Sequence, residues 1–162
     1  MIGRRTFLAG LAAGFAVPAI AQETVLAPFQ VAPLEGLVDI PAPSLDAFRD
    51  QITVLNFWAS WCQGCQEEHR YLVDLQRKGV FIAGVAVFDK SEAALRYLEE
   101  EGNPYGMVGL DDKRELATML GLRSIPQTFL IGRRCEVVWQ TAEGLDASLT
   151  DELLGRIQTI TG

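Results

Sequence analysis

Ile52-Thr53-Val54-Leu55-Asn56-Phe57-Trp58-Ala59-Ser60-Trp61-Cys62-Gln63-Gly64-Cys65 is the stretch on which the reading of this chain turns. Its first seven residues are β-branched, apolar and aromatic, the composition of a buried strand. A helix is expected from about Gln63 to Lys78, with Gly79 as its stop. The C-x-x-C pair therefore falls where a buried strand turns into a helix. At that point unpaired amides and the helix dipole favour a thiolate on Cys62. Cys65, three residues on, lies on the same side and can attack a mixed disulfide formed at Cys62. In this reading Cys62 is the nucleophile and Cys65 the resolving thiol.

Three other uses of the pair remain open on the residues alone. A structural disulfide is common in exported domains, although a bridge closing so small a loop constrains the unfolded chain least. A zinc site needs four ligands, which Cys62, Cys65, His69 and Cys135 supply only if the fold converges them. A metal chaperone would use the two thiols directly.

Downstream, Val80 to Phe88 is a second apolar run and reads as another central strand. Ser91 is expected to cap a helix through Glu101, with Ala94, Leu95 and Leu98 on one face and Gly102 as the stop. Asp112 to Leu120 reads as a third helix. Thr128 to Ile131 and Glu136 to Gln140 read as two strands joined through Gly132-Arg133-Arg134, and a last helix starts at Asp146 or Ser148 and runs to about Ile160. Crossover helices require parallel strands, while the late hairpin requires an antiparallel pair. The fold class is thus α/β, a mixed central sheet flanked by helices.

Upstream, residues 22 to 51 form an N-terminal extension with four prolines, Pro28, Pro33, Pro41 and Pro43. Phe29 to Ala32 and Leu37 to Ile40 are expected to pair as a small hairpin through Glu35-Gly36. Ser44 is placed to cap a short helix from Leu45 to Asp50. Residues 1 to 21 read as an export signal: Arg4 and Arg5, then an apolar stretch from Thr6 to Val17, then the small-x-small pattern Ala19-Ile20-Ala21. Arg4-Arg5-Thr6-Phe7-Leu8 resembles a twin-arginine signal, with an ordinary secretory signal as the alternative. Residues 52 to 162 make the main domain.

With 162 residues the chain suits one domain after the signal. Its formal charge of -7 becomes -9 once Arg4 and Arg5 are removed. An acidic domain without a basic run argues against nucleic acid and against anionic membrane surfaces, and suits a neutral or basic polypeptide partner.

The active-site string from Val54 to Cys65 resembles that of thioredoxin-like proteins. Three further strings narrow the resemblance: Cys65-Gln66-Glu67-Glu68-His69-Arg70-Tyr71-Leu72, Gly102-Asn103-Pro104-Tyr105, and Gly121-Leu122-Arg123-Ser124-Ile125-Pro126-Gln127-Thr128-Phe129-Leu130-Ile131. Together they are similar to the cytochrome c maturation thioredoxins, the CcmG/DsbE group of periplasmic reductants, from about Phe29 to the C-terminus.

The resemblance implies a thioredoxin fold and a dithiol reductant that keeps the C-x-x-C-H thiols of apocytochrome c reduced. It implies re-reduction by a membrane thiol-transfer protein of the DsbD/CcdA type. It also implies a cis-proline at Pro126, with backbone at Ser124 and Ile125 free to pair with an extended substrate; an ordinary trans-proline entering an edge strand is the alternative. Glu68 matches an acidic residue near the family's active site, against the plainer reading of a solvated helix charge beside Glu67 and Arg70. Gln127 stands where many members carry Glu, Gln63-Gly64 lacks the proline often found inside the motif, and Asn56 replaces the buried aspartate of general thioredoxins. Trp61 reads as a groove wall and Trp58 as core. His69 is expected at the surface or behind the thiols, and Cys135 as a small buried residue rather than a third redox centre. This reading calls for no metal and no cofactor. It expects a monomer in the periplasm, with anchoring to the inner membrane as the alternative.

Overall fold

A computed structural model describes residues 24–162. The proposed signal, residues 1 to 21, lies outside the described residues. The buried run becomes strand β2 (Thr53–Trp58), every residue of which is buried. The helix expected after it is α2 (Gln63–Arg77), ending at Lys78 before Gly79, whose φ of 83° suits a residue without Cβ. The remaining elements are β1 (Ala32–Pro33), α1 (Leu45–Phe48), β3 (Ile82–Ala86), α3 (Ser91–Glu101), β4 (Met107–Leu110), α4 (Glu115–Met119), β5 (Gln127–Ile131), β6 (Val137–Thr141) and α5 (Ala147–Thr161).

One six-stranded sheet runs in the order β1-β4-β3-β2-β5-β6. β2 pairs in parallel with β3, and β3 with β4, whereas β5 pairs antiparallel with both β2 and β6. Because side chains alternate across a strand, β2 feeds two cores. Val54 and Trp58 join Leu72 and Leu75 of α2, Ala94 and Leu98 of α3 and Leu153 of α5 on one face. Leu55 and Phe57 join Phe48 of α1 and Leu116 of α4 on the other. This is the thioredoxin-like α/β fold, a mixed sheet covered on both faces.

Two expectations change. In the extension, the stretches Phe29 to Ala32 and Leu37 to Ile40 do not pair; instead Gln30 bridges Ser44 antiparallel, with Val31 N–H donating to the Pro43 carbonyl and Leu45 N–H to the Phe29 carbonyl. Leu37 N–H closes a turn onto the Leu34 carbonyl, but Ala32 and Pro33 pair antiparallel with Leu110 and Gly109. The partner strand β4 escapes sequence reading because it is four residues long and contains Gly109. That glycine is required: a Cβ there would lie 2.5 Å from the Ala32 carbonyl oxygen. Pro33 fits because an edge strand tolerates a missing amide. Second, Lys90 rather than Ser91 holds the N-cap position of α3 and makes no side-chain cap; the Ser91 hydroxyl instead accepts the Glu35 N–H at 2.8 Å, tying the extension to the domain.

The extension also reaches the opposite edge. Val137 N–H donates to the Thr24 carbonyl and Leu26 N–H to the Cys135 carbonyl. Ser44 caps α1 as expected, accepting the Ala47 N–H.

Candidate active site

Cys62 is the N-cap of α2, and its Sγ accepts the Cys65 backbone N–H at 3.2 Å. The sulfur thus sits at the positive end of a 15-residue helix, where a thiolate is favoured. Cys62 and Cys65 are joined by a disulfide, and both are buried.

Pro126 closes the other side. The Ile125–Pro126 bond is cis, and Pro126 is buried beside the half-buried Ile125. The approach is close enough to select Gly64: a Cβ at that position would lie 3.1 Å from Pro126 Cδ. Gln127, which follows, accepts the Arg123 N–H on its side-chain oxygen at 3.2 Å and so closes the loop that carries the proline. Trp61 projects outward, 60% exposed, and its indole N–H donates to the Phe88 carbonyl at 2.8 Å. Asp89 accepts the Ser60 N–H at 2.6 Å and the Ser60 hydroxyl at 3.0 Å. The redox loop is therefore pinned to the corner that follows β3.

Glu68 is not a solvated helix charge. It is 1% exposed, one turn below Cys65 on α2, while Glu67 faces solvent. Its Oε1 accepts Asn56 Nδ2–H at 2.8 Å and its Oε2 accepts the Leu145 N–H at 2.8 Å. Asn56 also donates to Thr128 Oγ1 at 3.1 Å and accepts the Tyr105 hydroxyl at 2.9 Å. Burial pushes the Glu68 carboxyl up to about 7, against the lowering effect of its two hydrogen bonds. Near neutral pH it is an acid that can hold or release a proton. Gly144, exposed, lies over it: a Cβ there would stand 3.4 Å from Pro126 Cγ and 3.9 Å from Glu68 Oε2. Carboxyl, proline and C-x-x-C motif thus form one cluster with a short way to solvent.

Asn56 was legible only as a replacement for aspartate. Its amide lets it donate to a carboxyl that a second carboxylate would repel. Tyr105 lay inside a quoted string without a role. Its hydroxyl is buried and burial raises it well above the usual phenol range, which keeps it a donor. Thr128, Leu145, Phe88 and Asp89 carried no local signal.

The remaining candidates separate. His69 is buried rather than at the surface, with Nε2 3.1 Å from the Gly102 carbonyl and its ring edge-on to Tyr97. Trp58 is core, stacked on Tyr105 at 5.7 Å between centroids. Cys135 is buried among Leu45, Phe48 and Ile131 in the other core. The four residues a zinc site would need do not converge, and no group of three or more His, Cys, Asp or Glu among the described residues is placed to hold a metal.

Comparison with known proteins agrees with this geometry. The model of the AhpC/TSA family matches residues 31–140. A thiol:disulfide interchange protein DsbE of Pasteurella multocida is 38% identical over 99 residues, 61% of this chain and 55% of that protein. Thiol:disulfide interchange protein CycY of Rhizobium leguminosarum is 31% identical over 125 residues, 76% of this chain and 67% of that protein. The first of these matches spans about half the length of the relative. Among solved structures, a thiol:disulfide interchange protein of the thioredoxin family from Chlorobium tepidum superposes with a TM-score of 0.71 at 20% identity, covering 89% of this chain and all of that one. The chain belongs to the AhpC/TSA family of thioredoxin-like proteins and, within it, to the group of DsbE-type thiol:disulfide interchange proteins.

Proposed function

We propose that this protein is an extracytoplasmic dithiol reductant whose chemistry runs through Cys62 and Cys65, acting on the C-x-x-C-H disulfide of apocytochrome c. The observation that carries it is a single cluster: a disulfide at a helix N-terminus, a cis-proline against it and a buried carboxyl one turn below.

In the reduced protein the Cys62 thiolate attacks one sulfur of the substrate disulfide. The sulfur–sulfur bond breaks, a mixed disulfide forms, and the displaced substrate thiolate takes a proton from solvent. Cys65 then loses its proton to the Glu68 carboxylate and attacks Cys62 Sγ. The second substrate thiolate departs and is protonated in turn. The substrate has gained two electrons and two protons, and Cys62–Cys65 is the oxidised product. A membrane dithiol donor of the DsbD/CcdA type returns the two electrons. Trp61, Ile125 and Pro126 line the groove, where the backbone before Pro126 offers strand-like pairing to an extended substrate. The acidic charge suits a neutral or basic polypeptide. No helix among the described residues is long and apolar enough to cross a membrane; the placement in the periplasm rests on the signal-like residues 1 to 21.

The test is a redox titration in dithiothreitol buffers, with alkylation read at Cys62 and Cys65, together with a trapping experiment using Cys65→Ser. We expect a reversible two-electron midpoint well below the roughly -120 mV of a strong periplasmic oxidant. We also expect a stable mixed disulfide between Cys62 of the variant and an oxidised C-x-x-C-H peptide. A midpoint near the oxidant value reverses the direction of the reaction, and absence of a couple refutes exchange.

A further inference from the structure

We infer that Phe88 is a specificity-determining residue of the substrate groove, receiving an apolar side chain next to the cysteine of a disulfide-bearing polypeptide. This rests on the exchange reading given above and says which substrates the same site prefers.

Phe88 ends the run that follows β3, and two of its properties conflict with an ordinary structural role. Its backbone is left-handed, with φ of 53°, a region in which a bulky side chain is a true outlier. The residue is 57% exposed. The backbone conformation has an evident use, since the carbonyl receives the Trp61 indole while Asp89, the next residue, holds Ser60 by two hydrogen bonds. Glycine or asparagine would make the same corner at lower cost. The ring therefore needs its own reason.

Packing does not supply one. The ring's neighbour is the Arg114 guanidinium, 5.6 Å from its centroid, and Arg114 is itself exposed. What the corner does achieve is placement. Trp61 adjoins the nucleophile in sequence, and its indole is bonded to the Phe88 backbone, so two exposed aromatic residues are neighbours at the redox loop. Strained, exposed residues that the surroundings hold in place concentrate at ligand contacts.

The occupant follows from continuity with the redox pair. Whatever surrenders its disulfide to Cys62 must bring the residues flanking its own cysteine over Trp61 and Phe88. An apolar flanking side chain would remove both rings from water. The carboxylate of Asp89 makes no competing demand on the substrate, because Ser60 and the Lys90 N–H already engage it.

The test compares two synthetic peptides, each closed by an internal disulfide, with leucine or serine next to the attacked cysteine. Rates of reduction are measured for the wild-type protein, Phe88→Asn and Phe88→Tyr. Asparagine suits the left-handed backbone and preserves the carbonyl, so this variant keeps the corner and loses the ring. We expect the wild type to favour the leucine peptide by roughly tenfold, Phe88→Asn to bring the ratio close to one, and Phe88→Tyr to restore it. A ratio unchanged in Phe88→Asn overturns the inference, as does a wild-type ratio near one. Failure of the wild type to reduce either peptide brings down the exchange reading and the inference with it.

Discussion

Replacing Glu68 by glutamine removes one titration from the interior and leaves the shape nearly unchanged. The carboxyl ionises near 4.5 in the open chain and near 7 in the fold. Below pH 4.5 it is neutral in both states and adds no pH dependence. As pH rises from 4.5 to 7 the unfolded chain releases its proton first, so the folded state loses stability across that window. Above 7 the loss is complete and amounts to about 3 kcal/mol. Glutamine cannot ionise, so its stability should show no such fall. The assay is guanidinium unfolding of the disulfide form at pH 4, 5.5 and 7.5, followed by tryptophan fluorescence. Wild type minus Glu68→Gln is the quantity to plot, because other groups titrate alike in both proteins. That difference should move by roughly 3 kcal/mol in the variant's favour between pH 4 and 7.5. Its starting value at pH 4 should favour the wild type, since glutamine sets an NH2 against either Asn56 or the Leu145 N–H. A difference that stays level across the range refutes the raised carboxyl.

Two further substitutions probe the same network from other sides. Tyr105→Phe strips Asn56 Oδ1 of its donor at full burial, and should lower the unfolding free energy by about 1–3 kcal/mol; a loss under about 0.5 kcal/mol would mean the hydroxyl is not holding Asn56. Gly84→Ala puts a Cβ 2.6 Å from the Tyr105 ring in the middle of the sheet, and overpacking of this kind should cost roughly 1–3 kcal/mol. A variant as stable as the wild type would place the ring elsewhere.

The strand–helix junction was readable because β2 and α2 are local. An unbroken β-branched and aromatic run, a cysteine at the cap and a glycine stop each act within a few residues. The late hairpin and the Ser44 cap were readable for the same reason. Placement of the two cysteines and of Pro126 followed from these elements and from the family strings. The polar network was not readable, because Asn56 meets Tyr105, Thr128 and Leu145's neighbour Glu68 across separations of 12 to 72 residues. Only the closed sheet decides which polar side chains share a buried space. β4 was missed for a related reason: a four-residue strand with a central glycine has little propensity of its own, and its existence depends on β3 and on the crossing extension.

The path of the extension has a geometric consequence for how the molecule is presented. Thr24 and Leu26 are bonded at the start of β6, which pairs with the Ile131 end of β5, and Ile131 in turn lies opposite Thr53, the first residue of β2. The redox pair follows the other end of β2, five residues on and about 17 Å away. Any tether acting on the chain upstream of Thr24 would pull from the pole opposite the thiols, leaving the end of the molecule that carries Cys62 and Cys65 turned away from the point of attachment.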